Sequence, residues 1–93
     1  MVVGVISWEL EIFGCQSLKQ KRSVVRSLKE RLRNRFNVSV AETGHNDLWQ
    51  RSEITACAVS SDHGQVDAIL DSIDRFVDGD ARARVIRAER TFF

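Results

Sequence analysis

The stretch VVGVISWELEI, residues 2–12, alternates between apolar and polar side chains until Gly14 interrupts it. A period of two residues is typical of a β-strand with one buried face and one wetter face. Ser7, Glu9 and Glu11 form the wetter set. The buried side chains are expected to be Ile6, Trp8, Leu10 and Ile12.

Two amphipathic helices are predicted further along the chain. Ser17 with Gln20, and Asp62 with Gln65, have the spacing of a capping box, in which side chains satisfy the first free N–H groups of a helix. Apolar residues then recur every three or four positions, which predicts helices over residues 17–36 and 62–78, the second ending at Gly79. The expected buried stripes are Leu18, Val24, Val25, Leu28, Leu32 and Phe36, and Val66, Ile69, Leu70, Ile73 and Val77.

Three further strands complete the pattern, at residues 38–44, 53–60 and 85–92. The first two are expected to form a hairpin, which gives the order βαββαβ. The run 54–59 is too continuously apolar to assign faces by alternation. Two crossovers joined by a hairpin predict an α+β, ferredoxin-like fold, with a four-stranded antiparallel sheet and two helices on one face. At 93 residues there is room for a single such domain, residues 1–93.

Catalytic, metal and membrane functions find little support in the residue types. Cys15 and Cys57 lie far apart and predict free thiols in a reducing compartment, and the two histidines have no companion ligand at metal spacing. His45 lies near Asp47 without an identifiable nucleophile, and no phosphate- or dinucleotide-binding glycine pattern occurs. We therefore expect no enzyme, no cofactor and no metal. Without a signal-peptide layout or about 20 consecutive apolar residues, a cytoplasmic protein outside the membrane is expected.

Basic residues are concentrated in the first helix, although the formal net charge of the chain is only +1. Arg22, Arg26, Lys29 and Arg33 follow one another at i, i+4, i+7 and i+11, so they share one exposed stripe. Like charges at this spacing cost a few tenths of a kcal/mol per pair, a cost that an anionic partner would remove. Phosphate oxygens match the guanidinium fork, so the stripe predicts salt-dependent binding of a nucleic acid.

The second helix carries the opposite charge. Its aspartates, at positions 67, 71, 74 and 78, have the same spacing as the basic stripe. Two interpretations follow. The two rows could face each other and pair within the molecule, or they could face outward and leave the basic row free for RNA.

The loop between the hairpin strands, residues 44–51, contains Leu48, Trp49 and Arg51. Tryptophan is usually well buried, so we expect Leu48 and Trp49 to fold back and plug one end of the core. The alternative is that Trp49 stacks on an unpaired base while Arg51 holds its phosphate.

Three segments, SLKQKRSVV (residues 17–25), RLRNRFNVSVAE (31–42) and DLWQR (47–51), resemble the YlxP-like family of small bacterial proteins. The resemblance covers nearly the whole chain. It implies a ferredoxin-like fold, no established biochemical activity, no catalytic residues, and genes near those for translation initiation and ribosome maturation. Trp8 and Cys15 depart from it, since smaller side chains are expected there.

The sequence thus predicts a non-catalytic module that binds ribosomal or other RNA through the first helix. The expected contact residues are Lys19, Lys21, Arg22, Arg26, Lys29, Arg33, Arg35, Trp49 and Arg51. The alternative is a structural or regulatory module that self-associates, as a homodimer, through the open face of the sheet. Val3 and Val5 would form the apolar half of that face.

Overall fold

The computed structural model describes residues 1–93, and its elements follow the predicted order. They are β1 (Val2–Ile12), α1 (Leu18–Arg35), β2 (Ser39–Gly44), β3 (Arg51–Ser60), α2 (His63–Asp78) and β4 (Ala83–Phe92). All neighbouring strands are antiparallel, in the order β2-β3-β1-β4. This confirms the α+β, ferredoxin-like fold. Neither helix combines the length and the apolar composition that a membrane crossing requires.

The two helix starts differ in how they are capped. At α1 the Ser17 hydroxyl accepts a hydrogen bond from the Gln20 N–H (3.1 Å), as predicted. At α2 the Asp62 carboxylate accepts instead from the Gly64 N–H (3.3 Å), and Gln65 accepts a hydrogen bond from the Ser60 hydroxyl. The second capping box is therefore wrong in detail, because the Gln65 side chain turns back to the end of β3.

The core lies between the sheet and the helices. Ile6, Trp8, Leu10 and Ile12 of β1 are at most 1% exposed, as their alternation predicts. In β3, which the sequence left unassigned, alternate residues also point inward; these are Ile54, Ala56 and Ala58. The other side of β3 joins the open face of the sheet, where Val59 is 59% exposed.

Trp8 fits beneath α2 because its polar atom finds a partner there. The indole Nε1 donates a hydrogen bond to Asp74 Oδ1 (2.8 Å), while the ring is fully buried. Close packing of α2 on β1 also depends on Gly4, where a Cβ atom would overlap Val66 and come within 3.0 Å of Leu70 Cδ1. Cys15 is buried and both cysteines are free thiols.

Candidate nucleic-acid interface

The basic row, which we define as Arg22, Arg26, Lys29 and Arg33, lies on the side of α1 that faces away from α2. The opposite side of α1 meets the end of α2, where Arg31 lies 5.1 Å from the Phe76 ring centroid. Arg33 Nη2 donates to the carbonyl of Val40 (2.6 Å), so the row runs beside β2, the edge strand. None of the four cations of the row forms an ion pair.

The aspartate row is defined as Asp67, Asp71, Asp74 and Asp78. Its first three members meet a cation from the sheet and not from α1, and Asp78 forms no ion pair. Arg90 of β4 lies 3.2 Å from Asp67, 2.8 Å from Asp71 and 3.8 Å from Asp74. Partial burial by itself would lower the pKa of the Arg90 guanidinium. The hydrogen bond to Asp71 and the charges of the three carboxylates have the larger combined effect, so the pKa is raised. The two rows do not pair, so the interpretation in which they neutralise each other is wrong.

The geometry of the sheet explains this separation. The strand order β2-β3-β1-β4 puts α1 over the β2 side and α2 over β1 and β3, close to β4. The sequence showed the spacing of both rows but not which neighbour each would meet. Arg90 was missed because nothing in a strand pattern marks one arginine as facing a helix.

Lys21, predicted as an RNA contact, is fully buried and cannot reach a phosphate outside the protein. Its Nζ lies 2.7 Å from Glu42 Oε2 and 2.7 Å from the carbonyl of His45, with the carbonyl of Asn46 at 3.4 Å. Ser52 donates a further hydrogen bond to the same carboxylate oxygen (2.6 Å). Lys21 belongs to the buried stripe of α1, four residues before Val25. A lysine is tolerated at this buried position because a carboxylate and two carbonyl oxygens surround its ammonium group.

Three other predicted contact residues lie in different places. Lys19 is exposed and lies three positions before Arg22, so it extends the surface of the basic row by one turn. Arg35 lies on the α2 side, 5.5 Å from the Phe76 ring centroid. Arg51 lies on the open sheet face and pairs with Glu9 (3.3 Å). The structure therefore brings together Lys19 and the basic row, and separates Arg35 and Arg51 from them.

Trp49 is 51% exposed and Leu48 is 48% exposed, so the prediction that they plug the core is wrong. The core is already closed at this end, where Leu10 and Ile12 are at most 1% exposed. The Trp49 side chain lies instead on the surface, where residues 47–51 line an open concavity of about 440 Å³.

The exposed loop is held by several hydrogen bonds at its base. The carbonyl of His45 accepts from both Lys21 Nζ (2.7 Å) and the N–H of Leu48 (3.1 Å). The N–H of Ile12 donates to the carbonyl of Gln50 (2.8 Å), and His45 Nε2 lies 3.1 Å from Glu9 Oε1. His45 has a left-handed backbone conformation (φ 58°), which a residue other than glycine keeps only where its surroundings hold it in place.

The His45 side chain pairs with Glu9 and not with Asp47. No group of three or more histidine, cysteine or acidic side chains is arranged to hold a metal ion.

A second ionic cluster connects the two helices on the α2 side of α1. Asp80 accepts three hydrogen bonds from Arg82, through its backbone N–H (2.9 Å), Nε (3.0 Å) and Nη2 (2.7 Å), and its side chain is 5% exposed. The Arg82 side-chain hydrogen bond lowers the pKa of Asp80 from its ordinary value of 3.8; burial opposes the shift, and the charges of Arg82 and Arg31 add to it.

Replacing Asp80 with asparagine is expected to lower the free energy of unfolding at pH 7 by about 2 kcal/mol, since hydrogen bonds to charged groups are lost. A lowered folded-state pKa means that the native carboxylate stabilises the fold fully above its unfolded pKa, near 4. That stabilisation disappears as the pH falls through the lower folded value. Urea unfolding of both proteins from pH 7 to pH 2.5 measures it. Asp78→Asn, at an exposed aspartate without an ion pair, is the control; equal losses for the two variants would contradict the prediction.

The sequence has counterparts in known proteins. A family model described as "Protein of unknown function (DUF503)" matches residues 3–90. The chain is also 38% identical over 77 residues to "Uncharacterized protein YlxP" of Bacillus subtilis (strain 168). The aligned region covers 83% of this chain and 84% of the relative.

Proposed function

This chain belongs to the DUF503 family, and we propose that it is a non-catalytic cytoplasmic module that binds RNA, on a ribosomal particle or its precursor, through α1. The observation that carries the proposal is the basic row without intramolecular counter-charge. Three of the aspartates that could have paired with it, Asp67, Asp71 and Asp74, lie beside Arg90 instead.

The electrostatic repulsion within the basic row supports this proposal over a purely structural role for α1. Arg22 and Arg26 are one helical turn apart and Lys29 follows within the next turn, so their charges repel one another. A helix shaped only by stability would more often mix signs on its wet face. RNA phosphates would turn this repulsion into attraction and release bound cations, which makes the interaction salt-dependent.

Sedimentation with purified ribosomal subunits tests the proposal. At about 0.05 M salt the protein is expected to pellet with a subunit, and at about 0.5 M salt it is expected to remain in the supernatant, because counterion release favours binding less as salt rises. Failure to pellet at low salt, or pelleting that salt does not change, would contradict the proposal.

A second candidate is self-association through the open sheet face. The observation that favours it is the apolar end of this face, where Val59 is 59% exposed opposite Val3 in the β1–β3 register. Light scattering should then show a dimer at high protein concentration, and Val59→Lys should return it to a monomer. A wild-type protein that remains a monomer at the highest concentration would exclude this candidate.

A further inference from the structure

Two aromatic side chains are exposed at one end of the sheet. Phe13 is 50% exposed and Trp49 is 51% exposed. Glu11 pairs with Arg51, and the N–H of Ile12 donates to the carbonyl of Gln50, so Phe13 and Trp49 are the next residues beyond the last linked positions of β1 and β3. We call these two residues the aromatic end.

The aromatic end is held by a buried cation. Lys21 has three N–H donors, and its three nearby acceptors are Glu42 and the carbonyls of His45 and Asn46. Burying an ammonium group inside a core costs free energy unless such partners surround it. Here the partners are the backbone of the loop itself, so the loop that presents Trp49 is preorganised and loses little entropy on binding.

The aromatic end and the basic row begin at the same end of α1. Lys21 contacts the start of the loop, and Arg22, the first member of the row, is the next residue along the helix. From there the row continues to Arg33, a distance of about 17 Å at 1.5 Å per residue. An anionic chain that follows the row would therefore pass towards the loop that carries Trp49.

We propose that the ligand of this surface is single-stranded or looped RNA, with an unpaired base stacked on Trp49 and the adjoining phosphates on the basic row. This inference rests on the proposed function and narrows its substrate class. Bases inside an A-form duplex are already stacked on both faces and offer only their edges in the grooves, whereas an unpaired base can lay its face on an indole ring. A protein partner is a less suitable ligand, because the basic row, which begins at the same end of α1 as the loop, consists of cations without ion pairs.

The fluorescence of the full-length protein provides a direct test. The chain has two tryptophans, and Trp8 is fully buried, so a bound base can change only the exposed environment of Trp49. A 12-nucleotide oligoadenylate and a 12-base-pair RNA duplex are titrated at the same salt. We expect the single strand to quench Trp49 emission and to bind more tightly than the duplex, and the duplex to leave the emission unchanged.

Trp49→Ala is expected to weaken oligoadenylate binding by about 5- to 150-fold, since stacking contributes about 1–3 kcal/mol per base. Binding of the duplex, which uses the row alone, should not change. Trp49→Phe keeps an aromatic face and should recover most of the affinity, whereas Leu48→Ala, at the neighbouring exposed residue, is the control and should have little effect. Affinities of all three variants are measured by anisotropy of a labelled oligonucleotide.

The two proposals fail in different ways. If Trp49→Ala leaves single-strand affinity unchanged, or if the duplex binds and quenches equally well, the inference about unpaired RNA is wrong while salt-dependent binding through the row still stands. If neither RNA binds at low salt and sedimentation is also negative, the proposed function is wrong and the inference falls with it.

Discussion

Replacing Lys21 with methionine is expected to remove about 3–5 kcal/mol from the free energy of unfolding, because it leaves Glu42 buried without its cation. The Glu42 side chain is 13% exposed, and its oxygen lies 2.7 Å from Lys21 Nζ. Methionine fills a similar volume, so the loss reports the uncompensated charge and the missing donor rather than a cavity. Urea unfolding with linear extrapolation measures the change.

Two further variants make the result interpretable. Lys19→Met makes the same substitution at an exposed lysine two residues earlier and should change stability by less than about 0.5 kcal/mol. Lys21→Met with Glu42→Gln removes the stranded charge, so it should be more stable than Lys21→Met alone. A loss for Lys21→Met no greater than that for Lys19→Met would contradict the assignment of Lys21 as a buried structural cation.

Removing three charges of the basic row is expected to weaken oligoadenylate binding by roughly 100-fold at about 0.05 M salt. The variant carries Arg22→Gln, Arg26→Gln and Lys29→Gln, which keep most of each side-chain stem and form helices well. Each phosphate contact on a single strand contributes about 0.7 to the slope of log K against log salt, so the loss of three should lower the slope by about 2. Anisotropy titrations at several salt concentrations give both quantities.

A matched variant separates local contact from net charge. Arg75→Gln, Arg84→Gln and Arg87→Gln remove the same total charge from exposed positions on α2 and β4. This control should retain the wild-type slope. Equal losses in the two triple variants would show that overall charge, and not the row, governs binding, and would contradict the proposed interface.

The same two variants are compared for stability. Since the row cations repel one another, the row variant should unfold at no lower urea concentration than the control.

The proposed RNA site could be predicted in part. The spacing of the row follows from helical periodicity, and its members share one side of α1, where Arg22, Arg26 and Arg33 are exposed and Lys29 is half-buried. Lys21 could not be assigned by composition, because a lysine becomes a core residue only where carboxylate and carbonyl oxygens from distant segments converge, as Glu42, His45 and Asn46 do. The residue type predicts a core position for Trp49, but the core at that end is closed by other side chains.

Local pattern alone determined the architecture of this protein. The alternation over Val2–Ile12, the Ser17 cap and the two apolar stripes are repeats of 2 and 3.6 residues, and such repeats are set by backbone geometry within each element. Tertiary structure decided the partners of the charges. Whether the aspartates met the basic row or Arg90 depended on the order of strands beneath the helices, and ion pairing depends on distances between segments far apart in the chain. The basic row has no counter-charge within the molecule because Arg90 of β4, and not α1, lies beside Asp67, Asp71 and Asp74.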